Sequence, residues 1–413
     1  MSSSGVWIAV GARWAPLNSG GRRHETGVGP GGPVAWALMD VDLTILQGRI
    51  LLYRVFDVAH EVHLADAERA LRITAGEGRS ARLRLERQRD SVVFTDPPVT
   101  ANLSERLITL ADREWLVRVE AKAYDFGVMT IIWTLSIPSR TTIVELEQMS
   151  VQLEEPLLKA DLERWMTEDC DVAIELMKPG LVKPGRRDMC DTLTVFAITG
   201  FEEEITGETL ASHHRIPGLI LGERVTFSRQ LRDELRRSSF SYSTHDLVVI
   251  GYDAALVYDP TGTNDVSTLL EFALAQTLEL ELEDRDLDQR VARMHDQLDE
   301  RRRAGQSWRS SPYESLRRNL LSQHLDFSEV LERVTSAVKV TEDFYYAKVY
   351  REAVRVFRVD EVVASANHKL ELMSRTYSML SDEVDTHTSH RLERVVIALI
   401  LFEIVLTLLA KLT

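Results

Sequence analysis

The sequence predicts an α+β fold: an N-terminal mixed or antiparallel sheet with helices, followed by a long C-terminal helical hairpin or bundle that ends in a transmembrane helix. Three observations predict it. Strand-like and helical segments are mixed between residues 46 and 262. Apolar residues recur at steps of three and four between residues 263 and 390. The run from Val395 to Ala410 contains one charged residue, Glu403.

The region 46–262 is predicted to be an α/β body. Its order begins β-α-β-β-β-α, which favours an antiparallel sheet with helices on one face. The helical stretch after Thr141 is expected to break or restart at Pro156. The segments Thr192–Phe201 and Leu247–Pro260 are apolar enough to be central strands.

The region 263–390 is predicted to be helical. Its first seam runs through Thr277, Leu280, Asp284, Leu287, Val291, Met294 and Leu298, and a second runs from Val349 to His387. Between them, Gly305 is placed to stop one helix, and Ser311 to cap the next. This spacing indicates an antiparallel hairpin or bundle, with self-association as the alternative use of the same seam.

The region 391–413 is predicted to be a membrane tail. The sixteen residues from Val395 to Ala410 would be about 24 Å long as a helix, a short match to a bilayer core of about 30 Å. The predicted anchoring residues are Val395, Leu399, Phe402, Glu403, Leu406 and Leu409. The expected protein is single-pass, contacts membrane lipid and keeps its body on the cytoplasmic side with Arg391 and Arg394. A bacterial inner membrane is favoured over a mitochondrial one.

Composition excludes several classes of function. The net charge of −15 argues against a general nucleic-acid binder, and two cysteines make no metal framework. Residues 1–45 are predicted to be a disordered Gly/Pro-rich leader. This leader contains a G-x-G-x-x-G match, which would bind a dinucleotide only with a strand before it and a helix after it, and Pro30 and Pro33 disfavour both. We therefore expect no cofactor, no metal and no small-molecule substrate.

Two polar groups are weaker candidates for function. Arginines cluster around residues 300–318 and are candidate contacts for phosphate or anionic lipid, with a solvated helix tip as the simpler interpretation: Arg301, Arg302, Arg303, Arg309, Arg317 and Arg318. The acids Asp253, Asp259 and Asp265 could serve a phosphate-directed hydrolase or nuclease if they converged on a cleft. No catalytic residues are assigned, and the absence of a motif favours a non-enzymatic role.

Three segments carry a family resemblance: residues 269–281, residues 348–373 and, most specifically, the tail motif His387, His390, Leu392 and Glu393 before an apolar run that contains Glu403. On these residues, the stretch 46–413 resembles the required-for-meiotic-nuclear-division (YagE-type) family, a domain-of-unknown-function family with a C-terminal membrane helix. Arg394 stands where an aromatic residue often follows. The resemblance implies support of translation or of membrane organisation, a ribosome-associated partner, and no established enzymatic activity.

Together these observations predict a non-enzymatic, tail-anchored membrane scaffold. Its body would bind an unknown protein partner, and its helices would form a homo-oligomer.

Overall fold

The structure, a computed structural model, describes residues 42–75, 80–82, 97–110, 113–185, 189–303 and 343–412, together with three isolated positions between 303 and 343. Residues 1–41 of the predicted leader lie outside the described residues, as do Gly305 and Ser311.

The body is built on one mixed sheet of eleven strands and a separate two-stranded sheet formed by β2 and β9. The strands are β1 Thr44–Asp57, β2 Ala59–Val62, β3 Ser80–Arg82, β4 Val99–Asn102, β5 Arg106–Leu110, β6 Arg113–Ala123, β7 Val128–Ile137, β8 Thr141–Thr142, β9 Leu181–Pro184, β10 Cys190–Phe201, β11 Ser239–Phe240, β12 Leu247–Ile250 and β13 Ala254–Tyr258. The main order is β11-β12-β13-β10-β1-β7-β6-β4-β3, with β5 beside β6 and β8 beside β1. Pairing is antiparallel except between β10 and β13.

The described helices fall between and after these strands. They are α1 Leu64–Ala75, α2 Ile143–Leu153, α3 Pro156–Met177, α4 Gly207–Ser212, α5 Ile216–Leu221, α6 Arg229–Arg237, α7 Asp265–Arg303, α8 Phe344–Val356 and α9 Val359–Leu412. The predicted restart at Pro156 is confirmed, because α2 ends at Leu153 and Pro156 takes the first position of α3. A capping box between Thr142 and Glu145 starts α2.

The hairpin between β6 and β7 depends on Gly127. Its φ of +92° is a backbone conformation that only glycine adopts readily. A Cβ atom here would lie 1.9 Å from the Ala59 carbonyl oxygen. The backbone of β2 approaches closely, and the Gly127 carbonyl accepts hydrogen bonds from the amides of Val58 and Ala59. The strand-like stretch from Trp115 to Ile137 predicts two strands that turn near residues 125–127, and this turn is confirmed.

Helices cover both faces of the sheet, so the expectation of helices on one face is wrong. Alternate residues of each central strand enter different cores. In β13, for example, Leu256 belongs to one core, which includes residues from α1 to α5, and Val257 belongs to the other, which includes residues from α7 and α8. The β12 and β13 segments are apolar without alternation because both their faces are buried.

The long helices α7 and α9 run in the same direction along one another. Tyr346 on α8 contacts Asp265 at the start of α7, and Lys369 on α9 contacts Asp284 and Asp288 farther along α7. Contacts that advance together along two helices define a parallel pair. Their predicted buried seam is confirmed at Leu280, Leu287, Met294, Ala366, Leu370 and Met373. Nearly all of the helix predicted to begin at Ser311, between these two, lies outside the described residues, so the antiparallel hairpin or bundle stays a prediction. We call the paired helices α7 and α9 the arm.

The predicted transmembrane tail is also corrected. Among the residues that the structure describes, no helix is long and apolar enough to cross a membrane. Exposed apolar side chains lie between Val395 and Ile404 in this part of α9, and the charged Glu403 is among them. The membrane, tail-anchor and single-pass predictions lose their basis with this span.

Candidate functional site

A buried charged network joins the arm to the body. Lys122 on β6 donates a hydrogen bond of 2.6 Å to Oε2 of Glu271 on α7, and Tyr124 donates one of 2.7 Å to the same oxygen. Glu271 is fully buried and Lys122 nearly so. The other carboxylate oxygen, Oε1, has no hydrogen-bond donor among the described residues. Buried charges are retained only when paired, so this contact sets where α7 lies on the sheet.

The network also perturbs two tyrosines. Burial and the charge of Glu271 raise the pKa of Tyr124 well above its ordinary value. Burial raises the pKa of Tyr53 on β1 as well, helped by Glu271 and opposed by Arg49. Both hydroxyls therefore stay protonated in the physiological range and act as neutral groups. Because these side chains are buried, the network positions α7 against the sheet.

A second charged contact holds the two helices of the arm together. Lys369 Nζ lies 2.9 Å from Asp284 and 2.7 Å from Asp288. Burial lowers the pKa of Lys369, but the hydrogen bonds and charges of Asp288 and Asp284 together outweigh burial and raise the pKa above its ordinary value. Ser365 donates to Asp284 one turn earlier at 3.3 Å. These polar contacts flank the apolar seam and fix its register.

The far end of the arm exposes apolar side chains. Eight of them have half or more of their surface exposed: Val395, Val396, Ile397, Leu399, Ile400, Leu401, Phe402 and Ile404. Because consecutive residues of a helix are turned by about 100°, this set covers every side of α9. We call these eight residues the apolar tip. Contiguous apolar surface of this kind marks an interaction site.

The predicted hydrolase carboxylates do not meet. Asp253 precedes β13 and Asp259 follows it, which separates them by roughly 20 Å along the strand. Asp259 instead accepts hydrogen bonds from Thr261 and Thr263 in its own turn. Asp265 accepts a hydrogen bond of 3.2 Å from Tyr346. The geometry therefore offers no common cleft for these three acids.

A different set of acids lies close together near the N-terminal ends of β10 and β13. Burial raises the pKa of Asp191, and the charge of Asp253 raises it further. Burial, then Asp191 and Asp284, raise the pKa of Glu281 on α7. Asp253 is exposed as a whole residue, yet packing around its carboxyl group and the charge of Glu154 raise its pKa, against Lys159. In the described part of the chain, no three His, Cys, Asp or Glu side chains are grouped to hold a metal ion.

The remaining sequence-predicted residues are only partly described. Val395, Leu399, Phe402 and Glu403 lie on the exposed end of α9, and Glu393 is exposed beside them. Side chains outside the described set are those of Leu406, Leu409, His387, His390, Leu392, Arg301, Arg302 and Arg303. Arg309, Arg317 and Arg318 lie outside the described residues altogether.

Sequence reasoning missed Lys122 and Glu271. They are 149 positions apart in the sequence, so no local motif links the strand that carries Lys122 to the helix that carries Glu271. One signal was available for Glu271: it is the single charged residue in the apolar stretch Leu269–Leu274, where a buried helix face is expected.

The fold and its site define a class: an α/β/α body whose sheet is clamped by a buried ion pair to a long parallel helical arm. Residues 47–265 match the sequence model of the family described as "Uncharacterized protein MJ0711, N-terminal domain". This match covers more than half of the chain, so the protein belongs to that family.

One curated relative is similar over part of its length. "Uncharacterized protein MJ0711" of Methanocaldococcus jannaschii is 26% identical over 180 residues, which is 43% of this chain and 53% of the relative. The chain thus spans about half the length of the curated relative it matches. No solved structure matches this chain. The resemblance to the required-for-meiotic-nuclear-division family stays a prediction.

Proposed function

We propose that this protein is a non-enzymatic scaffold that assembles through its arm. The α/β body provides a rigid base that binds a protein partner. The arm extends from this base, and its apolar tip packs against the tips of further copies of the chain. The observation that carries the proposal is the exposure of eight large apolar side chains on one helix end.

A second copy of the chain is the occupant that this surface fits best. The seam that joins α7 to α9 uses heptad spacing, and the same spacing suits a helix from another copy. Closed symmetric assembly uses one surface on every copy, so no separate partner is required. Since the exposed residues surround α9, one neighbouring helix cannot cover them all. We expect an assembly of more than two copies.

Light scattering coupled to size-exclusion chromatography of the full chain tests the proposal. A discrete species of several chain masses is expected. Replacing two residues of the apolar tip, Leu399→Glu with Phe402→Glu, should reduce it to a single chain mass, because burying unpaired carboxylates between helices is costly. Leu157→Glu is the matched control, since Leu157 is 86% exposed on α3 of the body.

Two results would contradict self-assembly. One is a wild-type protein that elutes at the mass of one chain across a wide range of concentrations. The other is an assembly that survives the double substitution unchanged while its circular dichroism is also unchanged.

We further propose, on the family resemblance, that the protein attaches to the ribosome through the arginines at the end of α7. Reversing Arg301, Arg302 and Arg303 to glutamate should then abolish co-sedimentation with ribosomes, because phosphate contacts are electrostatic. Unchanged co-sedimentation would remove this part of the proposal and leave self-assembly intact.

A further inference from the structure

A cavity of about 370 Å³ lies between α6 and the turn that joins α4 to α5. Val249 of β12 and Pro217 of α5 give it apolar walls. It lies on the body, on elements that contribute nothing to the apolar tip. Its volume falls in the range of pockets that hold small molecules.

Basic side chains line this cavity from both sides. Arg229, Arg232 and Arg236 occur on α6 at spacings of three and four, which places them on one face of the helix. His213 and His214 line it from the opposite turn, with their rings 4.8 Å apart. The cavity therefore has five basic lining residues, although the chain as a whole carries a net charge of −15.

The arginines are only weakly neutralised by the protein itself. Asp233 is the one acid among the described lining residues, and it lies 3.8 Å from Arg229, an outer limit for an ion pair. Arg236 donates to the hydroxyl of Ser212, a neutral partner. Arg232 makes no ion pair and no side-chain hydrogen bond with any residue that the structure describes.

The histidine side of the cavity is preorganised. His213 is buried, and its Nδ1 accepts a hydrogen bond of 3.3 Å from the Arg215 amide. This bond holds the ring in place and leaves Nε2 as the ring nitrogen that carries the proton. Fixed donors lose less entropy on binding than mobile ones do.

A solvated arginine face is the ordinary interpretation of such a helix. It does not account for the concave shape, the apolar walls or the opposing histidines. Guanidinium groups donate paired hydrogen bonds that match the oxygens of phosphate.

From this arrangement we infer that the cavity binds the phosphate group of a small phosphorylated molecule. The arginines of α6 contact the phosphate oxygens, and the apolar walls contact the rest of the ligand. The inference is independent of the proposed self-assembly, because it concerns other elements and another kind of ligand.

Isothermal titration of the full chain with inorganic phosphate, pyrophosphate and ADP tests this inference. Saturable binding is expected, and it should weaken as salt is raised. Arg232→Ala should weaken it roughly ten- to hundredfold, the effect of removing hydrogen bonds to a charged group. Arg237→Ala is the matched control, since Arg237 is exposed on the same helix but does not line the cavity.

Each outcome decides something. Tighter binding of ADP than of inorganic phosphate supports a small phosphorylated ligand, and equal binding supports the free anion as the source of the phosphate group. The inference is overturned if none of the three probes binds saturably, or if Arg232→Ala and Arg237→Ala bind equally well. Binding of an oligonucleotide without binding of these three probes would also overturn it.

Discussion

Lys122 Nζ lies 2.6 Å from Glu271 Oε2 in the buried interface between the sheet and α7. This contact is the polar junction between the body and the arm. It brings a strand of the body against the helix that begins the arm, and Tyr124 donates to the same carboxylate oxygen. The loss of unfolding free energy on mutation should distinguish this buried junction from an exposed ion pair.

Removing one partner of this junction should destabilise the fold strongly. Glu271→Gln or Lys122→Met leaves an uncompensated buried group, which costs about 3–5 kcal/mol of unfolding free energy. The double variant Lys122→Met with Glu271→Met should lose less than the sum of the two single changes, because no unpaired charge remains. Urea unfolding followed by circular dichroism measures these differences.

The pair Lys159–Glu154 is the matched control for this prediction. It has the same nitrogen–oxygen distance of 2.6 Å, but both side chains are about two-fifths exposed. Lys159→Met should therefore cost at most about 1 kcal/mol. Equal losses at the two pairs would show that burial does not strengthen the junction.

The close acids Asp191 and Glu281 should make stability depend on pH. Burial raises the pKa of each above its ordinary value of 3.8 or 4.5. A carboxyl group with a raised folded pKa binds its proton more tightly in the folded state. The protonated carboxyl group therefore contributes its full stabilisation below its pKa in the unfolded chain. This stabilisation is lost as the pH rises through the higher pKa of the folded state. From this pair, we expect higher stability near pH 4.5 than near pH 7.

The variant Glu281→Gln isolates this effect. It should raise the melting temperature at pH 7 and flatten its pH dependence between pH 4.5 and pH 7, because the neutral amide keeps the shape without the charge. Glu175→Gln is the control, since Glu175 is an exposed partner of Lys178 on the body. A melting temperature at pH 7 that falls in Glu281→Gln would contradict the prediction.

Gly127 should not tolerate a side chain. Gly127→Ala combines a φ of +92° with a clash against the Ala59 carbonyl oxygen. We expect a loss of about 2 kcal/mol or more in unfolding free energy. In Gly200→Ala the added Cβ would meet only Leu46 Cβ at 3.9 Å, an ordinary contact, so little change is expected. Chemical denaturation of both variants makes the comparison, and similar losses would rule out the close approach of β2.

The exposed helix end shows why the membrane prediction was wrong. The prediction counted apolar residues in a window of sequence, whereas no helix in the described part of the chain is long and apolar enough to cross a membrane. The charged Glu403 lies among the exposed apolar residues of this helix end. Our proposal is that contact with other copies of the chain covers this surface.

Local chemistry explains what the sequence determined by itself. The restart at Pro156, the turn at Gly127 and the buried strands around Val195 and Leu256 follow from proline geometry, glycine freedom and apolar runs. Each of these features depends on residues that are neighbours in the chain.

Tertiary structure alone decided the rest. Helices on both sheet faces, the parallel direction of the arm, the Lys122–Glu271 junction and the arginine cavity all join segments that are distant in sequence. Periodicity tells which face of an element is apolar, but not which element covers it. That choice depends on sheet order and on contacts made only when the whole body packs.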